Sequence, residues 1–121
     1  MATLKKIAIY GAGGFGKEVA TLINKINENN PTWNMVGFID DGQEKGTQIS
    51  HFGKVLGDFT YLNQVKESLC VAFAIGNSKT LFLLVAKIKN PLISFPNIIH
   101  PEVYFADPKS FKIGYCNVIV R

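Results

Sequence analysis

The sequence predicts an α/β protein built on a doubly wound parallel sheet, with a different kind of structure starting near its C-terminus. Three observations carry that prediction. Short apolar runs alternate with segments of helical period along most of the chain, in the order β, α, β, α, β, α, β. A glycine cluster, GAGGFG, follows the first apolar run directly. From residue 102 onward the alternation stops, and Ile113-Gly114 followed by Val118-Ile119 takes its place.

KKIAIY, Lys5 to Tyr10, is short, apolar and rich in branched residues, so it predicts a strand buried in the sheet. From Lys17 to Asn29, Val19, Leu22, Ile23 and Ile26 fall at helical spacing, and Asn29, Asn30 and Pro31 stop the helix. WNMVGFIDD, Trp33 to Asp41, is the second strand, with two acids at its carboxyl end. Strand, glycine turn, helix and strand make a βαβ unit with parallel strands. Gly42 to Gly57 is polar and glycine-punctuated, which predicts a loop in which Val55 and Leu56 add a short strand. Asp58 is placed to cap a brief helix through Thr60 to Lys66, and LCVAFAIG, Leu69 to Gly76, is the third buried strand. Ser78 then caps a helix from Lys79 to Lys89, ended by Asn90 and Pro91. Its middle, LFLLVA, is apolar nearly all round, which predicts protein cover on more than one face. Leu92 to His100, interrupted by Pro96 and closed by Pro101, is the last sheet strand. The whole of 1–101 is expected to be one Rossmann-like domain, with 102–121 starting a second. In that second stretch the aliphatic spacing fits either an edge strand or the first coil of a left-handed parallel β-helix built on hexapeptide repeats.

A chain of 121 residues that is 47% apolar and 18% charged has enough apolar material for one core, which excludes disordered and collagen-like classes. The net charge of +4 comes from lysines scattered from Lys5 to Lys112, with Arg121 the one arginine. That is no nucleic-acid stripe, and no nucleic-acid partner is expected. Lys5 and Lys6 are followed by only IAIY before the glycines, too short for a signal sequence or a span, so a cytoplasmic protein without membrane insertion is expected. Cys70, inside an apolar run, reads as a small buried thiol. His51 and His100 form no ligand pattern with Cys70 and Cys116, and no metal site or catalytic constellation is predicted.

The binding signal is concentrated at the first turn. Gly11, Gly13 and Gly16 stand in G-x-G-x-x-G register between a strand and a helix. Gly11 allows the tight turn, Gly13 allows close approach of a ligand, and Gly16 lets helix and strand pack. Gly14 and Phe15 lie between them at the helix start, where free N–H groups face an anion. A turn that serves packing alone is the plain alternative. Gly11 to Lys17 also satisfies G-x-x-x-x-G-K, but Glu18 follows where a triphosphatase needs a hydroxyl for magnesium, which argues against nucleoside triphosphate hydrolysis. Asp40 and Asp41 stand at the end of the second strand, where such folds place an acid against ribose hydroxyls, although Asp41 could instead start the following turn. Asn77, after the third strand, occupies the same edge, where its amide could reach a ligand. These residues fit NAD and a nucleotide sugar equally, since both carry a ribose and a pyrophosphate.

KKIAIYGAGGFGKEVATLI, VGFIDDG, VLGDFTYL, VAFAIGNSKT and FPNIIHP, in this order and spacing, resemble the N-terminal domain of bacterial sugar O-/N-acetyltransferases of the PglD/NeuD type. The resemblance implies a Rossmann-like domain that binds a nucleotide-linked sugar, typically a UDP-amino sugar. It further implies a left-handed β-helix that binds acetyl-CoA, a homotrimer, and a role in glycan precursor synthesis. By the same resemblance, Gly11 to Gly16 hold the pyrophosphate side and Asp40 and Asp41 contact the nucleoside. The catalytic histidine of the family is matched by neither His51 nor His100 and is expected beyond Arg121, so that this chain alone would be a truncated, inactive part of the enzyme. One departure is the third helix, where relatives often carry a basic residue and this chain has Leu81 and Phe82. An NAD-binding domain of a dehydrogenase or sensor, and a non-catalytic interaction module, are the competing expectations.

Overall fold

The structure is a computed structural model and describes residues 3–99 and 118–119. The first strand, β1 (Lys5–Tyr10), buries its last four residues and lies at the centre of the main sheet. It is followed by α1 (Gly14–Asn29), β2 (Trp33–Ile39), β3 (Gln48–Ile49), β4 (Gly53–Gly57) and α2 (Phe59–Gln64). Then come β5 (Leu69–Phe73), α3 (Ser78–Lys87), β6 (Ile93–Ser94), β7 (Ile98–Ile99) and β8 (Val118–Ile119). The six-stranded sheet runs β3-β4-β2-β1-β5-β6, parallel except for the antiparallel edge strand β3, so the predicted α/β class holds.

From β1 the chain first crosses to β2 on one side, and later builds β5 and β6 on the other. Crossovers that run in opposite directions put their helices on opposite faces. One core layer accordingly joins Val19, Ala20 and Ile23 of α1 to Ile7, Ile9 and Phe38. The other joins Leu62 of α2 and Leu84 of α3 to Ala8, Tyr10, Ile39 and Phe73. The β1–β2 register shifts after Ile7, with Val36 as the extra residue, and that shift brings Tyr10 level with Ile39. Both strands therefore end together, and Gly11 N–H donates to Ile39 carbonyl at 2.7 Å at the point where the glycine turn begins.

Several elements differ from the sequence reading. Helix α1 begins at Gly14, three residues before the expected start at Lys17, because glycines carry no period to read. Residues 48–57 form a hairpin whose second strand joins the sheet beside β2, where a loop with a short strand was expected. The second strand stops at Ile39 and the third at Phe73, so the acids and Ala74 to Gly76 lie in the connections beyond the strand ends. The expected strand over Leu92 to His100 splits. Ile93–Ser94 completes the sheet, and beyond Pro96, which has no N–H to donate to a ladder, Ile98 packs into the α1 layer. Ile98–Ile99 pairs in parallel with Val118–Ile119. The cap of α3 is Asn77, whose side-chain oxygen accepts from Thr80 N–H at 3.0 Å; Ser78 is the first helical residue. Cys70 is half-buried. The boundary expected at residue 101, His100, Ile113, Gly114 and Cys116 lie outside the described residues.

Two asparagines clasp the second helix layer. Asn63 accepts Lys89 N–H and Asn90 N–H and donates to Lys87 carbonyl, closing the end of α3. Asn90 donates through its amide to Leu62 carbonyl and Val65 carbonyl, closing the end of α2. Each helix end thus supplies the cap of the other. Asn90→Ala is expected to destabilise the fold by about 1–3 kcal/mol, the cost of leaving part-buried carbonyls unpaired. Urea unfolding of the variant, with an unchanged slope and a lower midpoint, is the measurement.

Candidate functional site

Because β2 and β5 flank β1 on opposite sides, α1 and α3 leave the carboxyl edge of the sheet in opposite directions and open a crevice between them. Tyr10, Gly11, Asp40, Asp41, Ile75 and Thr80 line this crevice, which measures about 310 Å³. A second cavity of about 320 Å³ lies between the end of β2 and α2, against Lys45, Thr60 and Gln64, and shares Asp40 and Asp41 with the first. The two aspartates are thus a common wall. A larger opening of about 660 Å³ lies at the opposite, amino edge, around Trp33, Cys70 and Phe95, away from the glycine turn. Burial pushes the Cys70 thiol above its ordinary value.

The glycines divide into two kinds. Gly11 adopts φ +109°, and a Cβ there would stand 2.9 Å from Ala74 carbonyl oxygen. A Cβ on Gly16 would stand 2.0 Å from Gly11 carbonyl oxygen, so helix and turn touch through hydrogen atoms only. These two roles were legible in the sequence. Gly13 and Gly14 are different, since a Cβ on either meets nothing within 4 Å. The backbone faces open space there. The first helical bond of α1 runs from Lys17 N–H to Gly13 carbonyl, and Gly13 supplies no side-chain cap. The N–H groups of Gly14, Phe15 and Gly16 therefore have no acceptor within the helix, and no acid stands in the first turn to compete for an anion. Phe15 is partly exposed beside them.

The two acids bond different partners. Asp40 accepts Ala12 N–H at 2.9 Å through one oxygen and Gly42 N–H at 2.8 Å through the other. It therefore pins the glycine turn and also makes the local turn that was expected of Asp41. Asp41 instead accepts the Tyr10 hydroxyl at 2.6 Å and Phe59 N–H at 3.0 Å, tying β1 to the start of α2. Each carboxylate has about four lone-pair sites, so both retain acceptor capacity toward the crevice. Burial first, and the Asp41 carboxylate second, push the Tyr10 phenol well above its ordinary range. Asp58 caps α2 by accepting from Thr60 N–H at 3.0 Å and from the Thr60 hydroxyl, which hold its carboxyl below the ordinary value.

All eight expected binding residues thus lie at the carboxyl edge, and Asn77 spends its side-chain oxygen on the α3 cap. Sequence reading missed Tyr10, Ile75 and Thr80. A tyrosine closing an otherwise aliphatic strand was the one signal available for them. His51 is exposed on the β3–β4 hairpin, its ring 4.1 Å from that of Phe52, and takes no part in the crevice. Among the described residues no group of His, Cys, Asp and Glu could hold a metal ion, and no helix is long and apolar enough to cross a membrane.

Residues 6–88 match the family model described as the PglD N-terminal domain. The chain belongs to the PglD N-terminal domain family. That match holds the glycine turn, both aspartates and Asn77. Two solved structures of the acetyltransferase domain of PglB from Neisseria gonorrhoeae FA1090 are similar to this PglD-type domain. The one in complex with acetyl coenzyme A has 29% identity and a TM-score of 0.65, covering 83% of this chain and 46% of that one. The other has 27% identity and a TM-score of 0.59, covering 81% and 45%. This chain therefore spans about half the length of the structures it resembles. No curated protein sequence matches it.

Proposed function

We propose that this PglD-type domain binds a nucleotide-linked sugar, of the UDP-amino-sugar class, for an acetyl-CoA-dependent sugar acetyltransferase acting in cytoplasmic glycan precursor synthesis. The observation that carries the reading is the open backbone at Gly13 and Gly14 at the start of α1, on the same carboxyl edge of the sheet as two cavities that share an aspartate pair. A pyrophosphate lies against the N–H groups of Gly14, Phe15 and Gly16, where helix dipole and unpaired donors act together. The free lone pairs of Asp40 and Asp41 accept ribose hydroxyls.

The domain on its own binds and orients. The family resemblance supports placing the base that deprotonates the acceptor and the acetyl-CoA site in a further domain of left-handed β-helix type, within a homotrimer. The parallel pairing of Ile98–Ile99 with Val118–Ile119 supports a coil starting here, and the bound acetyl coenzyme A of the PglB domain supports the acyl donor. Titration calorimetry tests the binding reading. UDP-N-acetylglucosamine is expected to bind with a Kd in the range of about 1 μM to 1 mM. Binding of NADH without binding of any UDP-sugar overturns it.

A further inference from the structure

Tyr10 is a tyrosine where the strand needs only an apolar residue. It is the last residue of β1, 2% exposed, with its ring stacked on Phe73 at 5.4 Å, and Phe73 packs in turn on Phe95 at 5.6 Å. Phenylalanine would fill the same space. What the hydroxyl adds is the 2.6 Å bond to Asp41, on the floor of the crevice. The other oxygen of Asp41 accepts Phe59 N–H, so its carboxylate is held from β1 and from α2 at once. A short carboxylate in a turn samples several rotamers when free. Here it is fixed while its residue stays exposed in the wall between the two cavities.

The phosphate side is fastened separately. Asp40, and not Asp41, holds Ala12 N–H and thereby the glycine turn. No hydrogen bond connects the Tyr10–Asp41 pair to Gly13 or Gly14 among the described residues. The two sides of the crevice are thus held by different side-chain bonds, the glycine turn by Asp40 and the α2 side by Asp41.

We infer that Tyr10 is a positioning residue for the nucleoside part of the site: it aims Asp41 at a ribose hydroxyl and so sets the preference for a nucleotide sugar over a bare pyrophosphate. This rests on the nucleotide-sugar reading above. The effect is confined to ligands that carry a ribose, because inorganic pyrophosphate touches only the glycine turn.

The test compares the full chain with its Tyr10→Phe, Asp41→Ala and double variants, titrated with UDP-N-acetylglucosamine and with inorganic pyrophosphate while the Gly13 and Gly14 amide signals are followed by NMR. Tyr10→Phe is expected to weaken UDP-N-acetylglucosamine about tenfold, the worth of one hydrogen bond, and to leave pyrophosphate within about twofold. In the Asp41→Ala background it is expected to add nothing to the loss, as two changes acting through one contact do. An unchanged affinity of Tyr10→Phe for the sugar nucleotide overturns the inference, as does an equal loss for pyrophosphate or full additivity with Asp41→Ala. If the wild-type chain binds pyrophosphate but no UDP-sugar, the nucleotide-sugar reading itself falls and the role of Tyr10 with it. Thermal unfolding of Tyr10→Phe close to the wild type shows that the readout is binding and not folding.

Discussion

Gly16→Ala is expected to destabilise the domain by about 3 kcal/mol or more, the upper range for overpacking a rigid contact. In an ordinary helix the same change stabilises by about 1 kcal/mol, because glycine is a poor helix former. The sign reverses here because the new methyl group would stand 2.0 Å from Gly11 carbonyl oxygen, well inside van der Waals contact. Neither neighbour can give way cheaply. Gly11 is fixed by its bond to Ile39 carbonyl and sits close against Ala74 carbonyl. Moving α1 outward instead would part Val19, Ala20 and Ile23 from Ile7, Ile9 and Phe38. Gly14→Ala is the control two residues away, since its Cβ meets nothing and the helix gains propensity. Denaturant unfolding should place Gly14→Ala at or above the wild type and Gly16→Ala far below it. Equal stability of the two variants would show that the helix does not rest on the turn.

What the sequence revealed and what it hid divide along a physical line. Buried strands of a parallel sheet are apolar on both faces, so IAIY and LCVAF were readable as uninterrupted runs. The hairpin at 48–57 was not, because β3 has two residues and β4 contains two glycines, which leaves no alternation long enough to see. Pro96 marked a break, but whether the chain resumes in the same sheet depends on which layer takes Ile98, a tertiary choice with no local signal. Helix α3 shows the limit of composition. Its run LFLLVA predicted cover on several faces, yet Leu84 alone of these is buried, while Phe82 and Leu83 are 75% and 58% exposed among the described residues. The site was legible as a set of positions and illegible as a set of bonds. GxGxxG and the two acids located the carboxyl edge. That Asp40 would hold Ala12 and Asp41 would bond Tyr10 depends on the bulge that levels β1 with β2, and one shifted residue carries no mark in the sequence.

Gly13→Val separates a binding turn from a packing turn more sharply than any other single change. At φ −83° and ψ −158° Gly13 already has the extended backbone that valine prefers. The Cβ position is open, so no core contact is disturbed. Replacing glycine by valine at a helix N-cap costs about 1 kcal/mol, which the domain can absorb without unfolding. The two methyl groups are expected to fill open space beside the N–H groups of Gly14 and Phe15. An anion kept from those donors loses two charge-assisted bonds of about 1.5–3 kcal/mol each, which is about a hundredfold or more in affinity. Calorimetry should therefore show UDP-N-acetylglucosamine binding reduced below detection in a variant whose melting temperature falls by only a few degrees. If Gly13→Val binds the sugar nucleotide as tightly as the wild type, the phosphates do not sit on the glycine turn. Gly11 and Gly16 would then remain as packing devices only, and Asp40 as a strut for the loop.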